Sequence, residues 1–156
     1  MSGRGEACQP KNERKLADTA GVQVFQLDQA PAFMPVPGIA MRGAFGAGAM
    51  LNLVTLEPDA ILPLHSHPHE QIGFVLSGIE ILEIAGTEYR LEPNSVYVIP
   101  GGVEHSGRGG PHGCVVIDVF SPVRDDYRAA MEALAAPSDQ PDLTDPDPDT
   151  PGGTHD

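Results

Sequence analysis

Eight short apolar runs, none longer than seven residues, divide the middle of the chain, and turn-forming residues separate them. They are Val22–Leu27, Ile39–Phe45, Met50–Leu56, Gln71–Leu76, Ile79–Ile84, Glu88–Leu91, Ser95–Ile99 and Cys114–Phe120. Runs this short, bounded by Gly, Pro and Asn, fit strands and leave no room for amphipathic helices between them. Ser77-Gly78 and Ala85-Gly86-Thr87 are short enough to be tight hairpin joints. One helix is expected after Ser121-Pro122. Ser121 would be its N-cap, Pro122 would sit in its first turn, Asp125 and Asp126 would favour its positive end, and it would run to about Ala136. Many short strands with turns between them predict an all-β sandwich or barrel carrying one C-terminal helix.

Composition sets the edges of this domain. Residues 137–156 carry six aspartates and five prolines and no Lys or Arg. Such a stretch cannot bury a core and is expected to be a disordered acidic tail. Residues 1–20 are expected to form a flexible N-terminal segment, which leaves 21–136 as a single domain. The tail also supplies six of the 13 net negative charges. The rest falls between Gly38 and Asp126, where 11 acids face four arginines.

Several function classes are excluded at this level. A net charge of −13 argues against nucleic acid, which requires clustered cations. No apolar run approaches the length of a membrane span. Met1 to Lys15 is polar and lacks the apolar core of a secretory signal, so the expected compartment is the cytoplasm. Cys8 and Cys114 are the chain's two cysteines, and they form neither a disulfide framework nor a C-x-x-C pair.

Four of the six histidines lie in two short stretches, Pro63-Leu-His65-Ser-His67-Pro-His69-Glu70-Gln71 and Pro100-Gly-Gly102-Val-Glu104-His105. On an extended strand His65 and His67 point the same way, so their imidazoles can converge on one ion. A turn at Pro68 returns the chain, and Gln71 or Glu70 comes back toward the same point. His105 offers a third imidazole. His69 is expected to support the ligands, and His112 and His155 to be bystanders.

A second constellation follows in Cys114-Val-Val116-Ile-Asp118-Val-Phe120. Asp118 and Phe120 share a face of an otherwise apolar strand. An aspartate is most often exposed, and burying one without a partner is costly. Asp118 therefore either faces solvent or lines a site at the barrel mouth, over which Arg124 could fold.

The spacing Asp59-x5-His65-x-His67-x3-Gln71-x6-Gly78, followed after 15 residues by Asn94-x5-Pro100-x-Gly102-x2-His105, resembles the two-part signature of the cupin superfamily. The resemblance covers about Gly38 to Phe120 and implies a double-stranded β-helix, or jelly-roll barrel. It implies one divalent metal ion (zinc, nickel, manganese or iron) on His65, His67, Gln71 and His105. Asp59 and Asn94 stand where the family has glycine, and both residue types tolerate left-handed turns. Gly109 replaces the family's final asparagine. Gln71 replaces its usual glutamate. A glutamine carbonyl can still hold a metal, but it leaves the ion's charge uncompensated. The ion should then be a stronger Lewis acid, less tightly held.

The spacing Asp118-x-Phe120-x3-Arg124 sharpens the resemblance toward small cupins of pectin degradation that convert unsaturated uronates to keto sugars. It implies that Asp118, Phe120 and Arg124 line the active site. The expected function is a Lewis-acid isomerase, tautomerase or cyclase on a small keto or unsaturated acid. In it Asp118 moves a proton, Arg124 grips a carboxylate with two prongs and Phe120 shapes the pocket. The alternatives are an Fe(II)-dependent dioxygenase of secondary metabolism, a context that the Ala-, Gly-, Pro- and Asp-rich composition suits, and a non-catalytic sugar-acid binding protein. The expected partners are a small-molecule substrate and, as is common among cupins, a second copy in a homodimer.

Overall fold

The computed structural model describes residues 21–135; the two tails foreseen from composition lie outside the described residues. Eight strands precede one helix: β1 (Phe33–Val36), β2 (Ile39–Phe45), β3 (Met50–Leu56), β4 (Ile61–His65), β5 (Glu70–Ile84), β6 (Thr87–Leu91), β7 (Val96–Ile99), β8 (His105–Ser121) and α1 (Asp125–Ala135). Every pairing among them is antiparallel.

Two long strands organise the rest. β5 spans 15 residues and β8 spans 17, and they pair from Glu70↔Ser121 to Ile84↔His105. Near its C-terminal end β8 pairs β3 on its other edge, and β5 pairs β7 near its N-terminal end. At their opposite ends β8 pairs β4 and β5 pairs β6. The same two strands thus serve two sheets, as the expected jelly-roll barrel requires. Register shifts between Val75 and Ser77 and between Gly78 and Glu80 mark the fold-over.

Ser77-Gly78 is therefore not a hairpin. It is an irregularity inside one continuous strand, where the chain turns from one sheet to the other. Gly78 has φ +73°, and a Cβ there would lie 2.1 Å from the carbonyl oxygen of Gly113, itself at φ +72°. The two backbones cross too closely for any side chain. The Ala85-Gly86 joint does form a tight hairpin between Ile84 and Thr87, with φ of 49° and 79°. Asp59 and Asn94 adopt φ of 59° and 73°, so both hold the left-handed turns expected of them.

Alternation directs one face of each strand inward. Ile39 and Met41, Val54 and Leu56, Val75, Tyr97 and Ile99, and Cys114 and Val116 form the main core. α1 lies against β2, where a Cβ on Gly43 would meet the Met131 sulfur at 2.8 Å.

Three further local expectations fail. Val22–Leu27 is not a strand; Val22 and Val24 are exposed, and a 3-10 turn spans Leu27–Gln29. β-propensity alone does not order a strand. The first strand among the described residues is instead Phe33–Val36, which contains Pro35 and pairs there with β2 alone, an edge position where a missing N–H is tolerated. The last strand begins at His105 and not at Cys114, so the glycine-rich stretch around His112 is part of β8. The helix begins at Asp125, because Ser121 still belongs to β8 and its Oγ donates to the Gly48 carbonyl at 3.1 Å. Ser121 is therefore not the N-cap.

Gly78→Ala combines a left-handed residue with a backbone clash and should cost about 3 kcal/mol or more. Gly86→Ala, at a similar φ but with nothing within 4 Å, should cost only about 1–2 kcal/mol. Urea unfolding of both variants measures the contrast.

Candidate metal centre and polar barrel interior

Three imidazoles meet at one end of the barrel. His65 is the last residue of β4, and His105, in register with it, is the first of β8. His67 lies two residues beyond β4, so the turn into β5 and not a shared strand face brings it beside His65. Ring centroids are 4.4 Å apart for His65 and His105, 5.0 Å for His67 and His105, and 5.7 Å for His65 and His67. One nitrogen from each ring lies within 4.8 Å of the others.

The rings are oriented by their own backbone. Nδ1 of His65 faces the Pro63 carbonyl at 2.7 Å, that of His67 faces the His69 carbonyl at 3.1 Å, and that of His105 faces the Val103 carbonyl at 2.9 Å. A neutral ring that donates from Nδ1 keeps its lone pair on Nε2. Burial first, then Arg124 and His105, pushes His67 down to about 4. Burial also lowers His105. Both rings therefore stay neutral in the physiological range, the form that ligates metals.

Gln71 is the first inward residue of β5, while Glu70 beside it is exposed. Gln71 Oε1 lies 3.2 Å from His67 Nε2. With Nδ1 protonated, this contact sets two lone-pair atoms against each other. A shared cation satisfies that arrangement where a hydrogen bond cannot. His105 Nε2 is buried and has no hydrogen-bond partner. Three imidazoles with a nearby amide oxygen thus fit a divalent ion of the zinc, nickel, manganese or iron type.

Asp118 points inward and is 8% exposed. Its Oδ1 accepts from Gln71 Nε2 at 2.9 Å and from the Tyr97 hydroxyl at 2.8 Å. Burial raises Asp118 to about 6, against the pull of both hydrogen bonds and of Arg124. Phe120 is buried, and its ring meets that of His67 edge-on at 5.4 Å. Arg124, 8% exposed, stacks 3.8 Å over Tyr127 and lies 5.3 Å from the Phe120 ring. Asp126 accepts from its Nε at 3.2 Å and from one NH2 nitrogen at 2.7 Å. One edge of the guanidinium is therefore taken, and the buried NH1 has no partner. His69 lends its carbonyl to His67, and His112 is exposed on β8. His155 lies outside the described residues.

Three inward groups escaped the sequence reading, Asn52, Glu80 and Tyr97, and exposed Asp126, expected only at the helix start, also proves to be the partner of Arg124. Alternation within β7 could have turned Tyr97 inward, but only the pairing of β7 with β5 places it near Asp118. Asn52 is in register with Asp118 and fully buried. Glu80 is 5% exposed, and burial first, then Asp118, raises it to about 8. Gln71, Glu80, Tyr97, His105 and Asp118 all line a cavity of about 30 Å³, room for one water. Burial, with Glu80 and Asp118, pushes the Cys114 thiol to about 12, so it is no nucleophile.

A glutamate held protonated by the fold costs stability as pH rises. Below its ordinary 4.5, Glu80 carries a proton in both folded and unfolded chains. Above it the unfolded chain releases the proton while the folded one keeps it until about 8, so stability falls across this window and levels off beyond. Glu80→Gln should therefore gain on the native protein as pH rises from about 4.5 to about 8, by a few kcal/mol at most. Melting temperatures of the two proteins across that range measure it.

Comparison with known proteins agrees with this architecture. A family model described as a cupin domain matches residues 52–120. KdgF from Halomonas sp. is 30% identical with a TM-score of 0.64, over 68% of this chain and 98% of that one. An RmlC-like cupin from Shewanella frigidimarina is 25% identical with a TM-score of 0.60, over 64% of this chain and 90% of that one. Oxalate decarboxylase from Bacillus subtilis shares the fold at 18% identity and a TM-score of 0.57, over 63% of this chain and 29% of that one. No curated protein sequence matches the chain.

Proposed function

Because the chain belongs to the cupin superfamily, we propose that it is a metal-dependent enzyme, a Lewis-acid isomerase, tautomerase or cyclase acting on a small keto or unsaturated acid. The observation that carries this reading is the buried carboxylate of Asp118 beside the three-histidine group. The likeness to KdgF and the resemblance to uronate-converting cupins support a sugar acid as the substrate.

His65, His67, His105 and Gln71 would hold the ion. When bound it supplies Lewis acidity to a substrate oxygen. Asp118 exchanges the proton. Its Oδ1 is engaged by Gln71 and Tyr97, which leaves Oδ2 for the substrate, and a value of about 6 suits both taking and returning a proton. Arg124 anchors the substrate carboxylate. Asp126 occupies its Nε edge, so the grip falls to NH1 and the remaining hydrogen of NH2, at the end of the guanidinium. Phe120 walls the site and keeps water from the proton transfer. A carboxylate for the proton and a cation for the anchor favour acid–base chemistry over oxygen chemistry. The proposal extends to a homodimer, supported by exposed Ile72 and Val98, paired in register on the outer face of β5 and β7.

His105→Ala should lose the metal, read by elemental analysis. Asp118→Ala, assayed at saturating metal against a panel of keto and unsaturated acids, should lose roughly 10²- to 10⁴-fold in turnover. Chelation should abolish turnover and a divalent ion restore it. Full turnover by metal-loaded Asp118→Ala would overturn its assigned role.

A further inference from the structure

Gly73 has no place in the reading above and Tyr97 enters it only as a donor to Asp118, yet the two meet at its centre. In the ladder Gly73 of β5 is in register with Tyr97 of β7 on one side and with Asp118 of β8 on the other. To reach Asp118, the Tyr97 hydroxyl must cross β5. It does so over Gly73. A Cβ on Gly73 would lie 1.9 Å from the Tyr97 Cζ and 2.4 Å from its hydroxyl oxygen. Gly73 is not among the positive-φ residues, so its backbone does not call for glycine. The space above it does.

The crossing has a consequence for Gln71. The two ends of an amide are nearly equal in size but opposite in polarity, and only the oxygen can face a cation. Asp118 Oδ1 draws the Gln71 NH2 to 2.9 Å, which turns Oε1 toward His67. Asp118 alone could rotate about its own side-chain bonds. The Tyr97 hydroxyl, 2.8 Å from the same oxygen, pins it.

We propose that Tyr97, reaching across Gly73 to Asp118, is the positioning residue that keeps the carbonyl oxygen of Gln71 turned toward the three histidines. This rests on the reading of Gln71 as the fourth ligand. Tyr97 also belongs to the apolar core, so its ring has a packing role whatever its hydroxyl does. Tyr97→Phe separates the two, because it keeps the ring and removes only the hydroxyl.

The test is calorimetric titration of the metal-stripped full chain with Zn²⁺, for the native protein, Tyr97→Phe, Gln71→Ala and the double variant. Tyr97→Phe should bind zinc about ten-fold more weakly, within the range for partners that orient a ligand, with little change in the melting temperature of the metal-free protein. In the Gln71→Ala background the same change should have no further effect. Native-like zinc affinity in Tyr97→Phe, with Gln71→Ala weakened, would overturn the proposal and leave the ligand reading intact. An equal loss in both backgrounds would also overturn it, since Tyr97 would then act independently of Gln71. Native affinity in Gln71→Ala would remove the ligand reading itself, and no zinc binding by the native chain would remove the metal centre. Should Tyr97→Phe fail to fold, the native protein still decides. A slowly exchanging Tyr97 hydroxyl proton with a nuclear Overhauser contact to the Gln71 side-chain NH2 is expected, and its absence would overturn the proposal.

Discussion

The pairing of β5 with β8 along their full lengths is the constraint on which the rest of the molecule depends. Two strands that stay hydrogen-bonded while both bend can belong to two sheets at once. The bend requires their backbones to touch, and Gly78 against Gly113 allows it. β3, β4, β6 and β7 attach to the outer edges of this pair, and β2 and β1 follow on β3. The barrel end that gathers the histidines is likewise built on it, since His105 opens β8 and Gln71 lies at the start of β5.

The interior of that barrel is unusually polar. Asn52, Gln71, Glu80 and Asp118 are each 8% exposed or less. Burying such groups is expensive, and a chain selected only for stability would fill these positions with aliphatic side chains. The row of Met41, Val54, Val116 and Val75 is apolar, and the next, Asn52, Asp118, Gly73 and Tyr97, is polar. In the row beyond it Gln71 lies in register with apolar Ile99 and Phe120. Stability is conceded at these polar positions beside the three imidazoles, as expected where function and packing compete.

Charge is distributed with similar economy. His67 and His105 are kept neutral by burial and by the nearby Arg124 cation, which makes them fit ligands. Glu80 and Asp118 respond to the same burial in the opposite direction, and to different extents, because Asp118 alone has two donors and Arg124 to favour its charged form. Two carboxyl groups in one barrel are thereby driven apart in acidity.

Much of this was legible in the chain itself. Short apolar runs set the β class, the histidine spacing marked the residues that gather as a three-imidazole group, and Asp59 and Asn94 kept turns that nominally call for glycine. These features are local: alternation, turn chemistry and ligand spacing are properties of neighbouring residues. Failures came wherever a partner far along the chain decides. Val22–Leu27 has strand composition but joins no sheet among the described residues, Ser77-Gly78 has hairpin composition inside a strand that continues, and the glycines of β8 look like loop because the strand crossing above them is not visible in one dimension. The placement of Asp118 shows the division most plainly. By sequence it was either a solvated aspartate or a site residue, and alternation could say only that it shares a face with Phe120. Tertiary structure turned that face inward and supplied Tyr97 from β7 and Gln71 from β5 as donors to one oxygen. A chain can specify which side chains share a face by itself, but which faces meet is decided only when the sheets close.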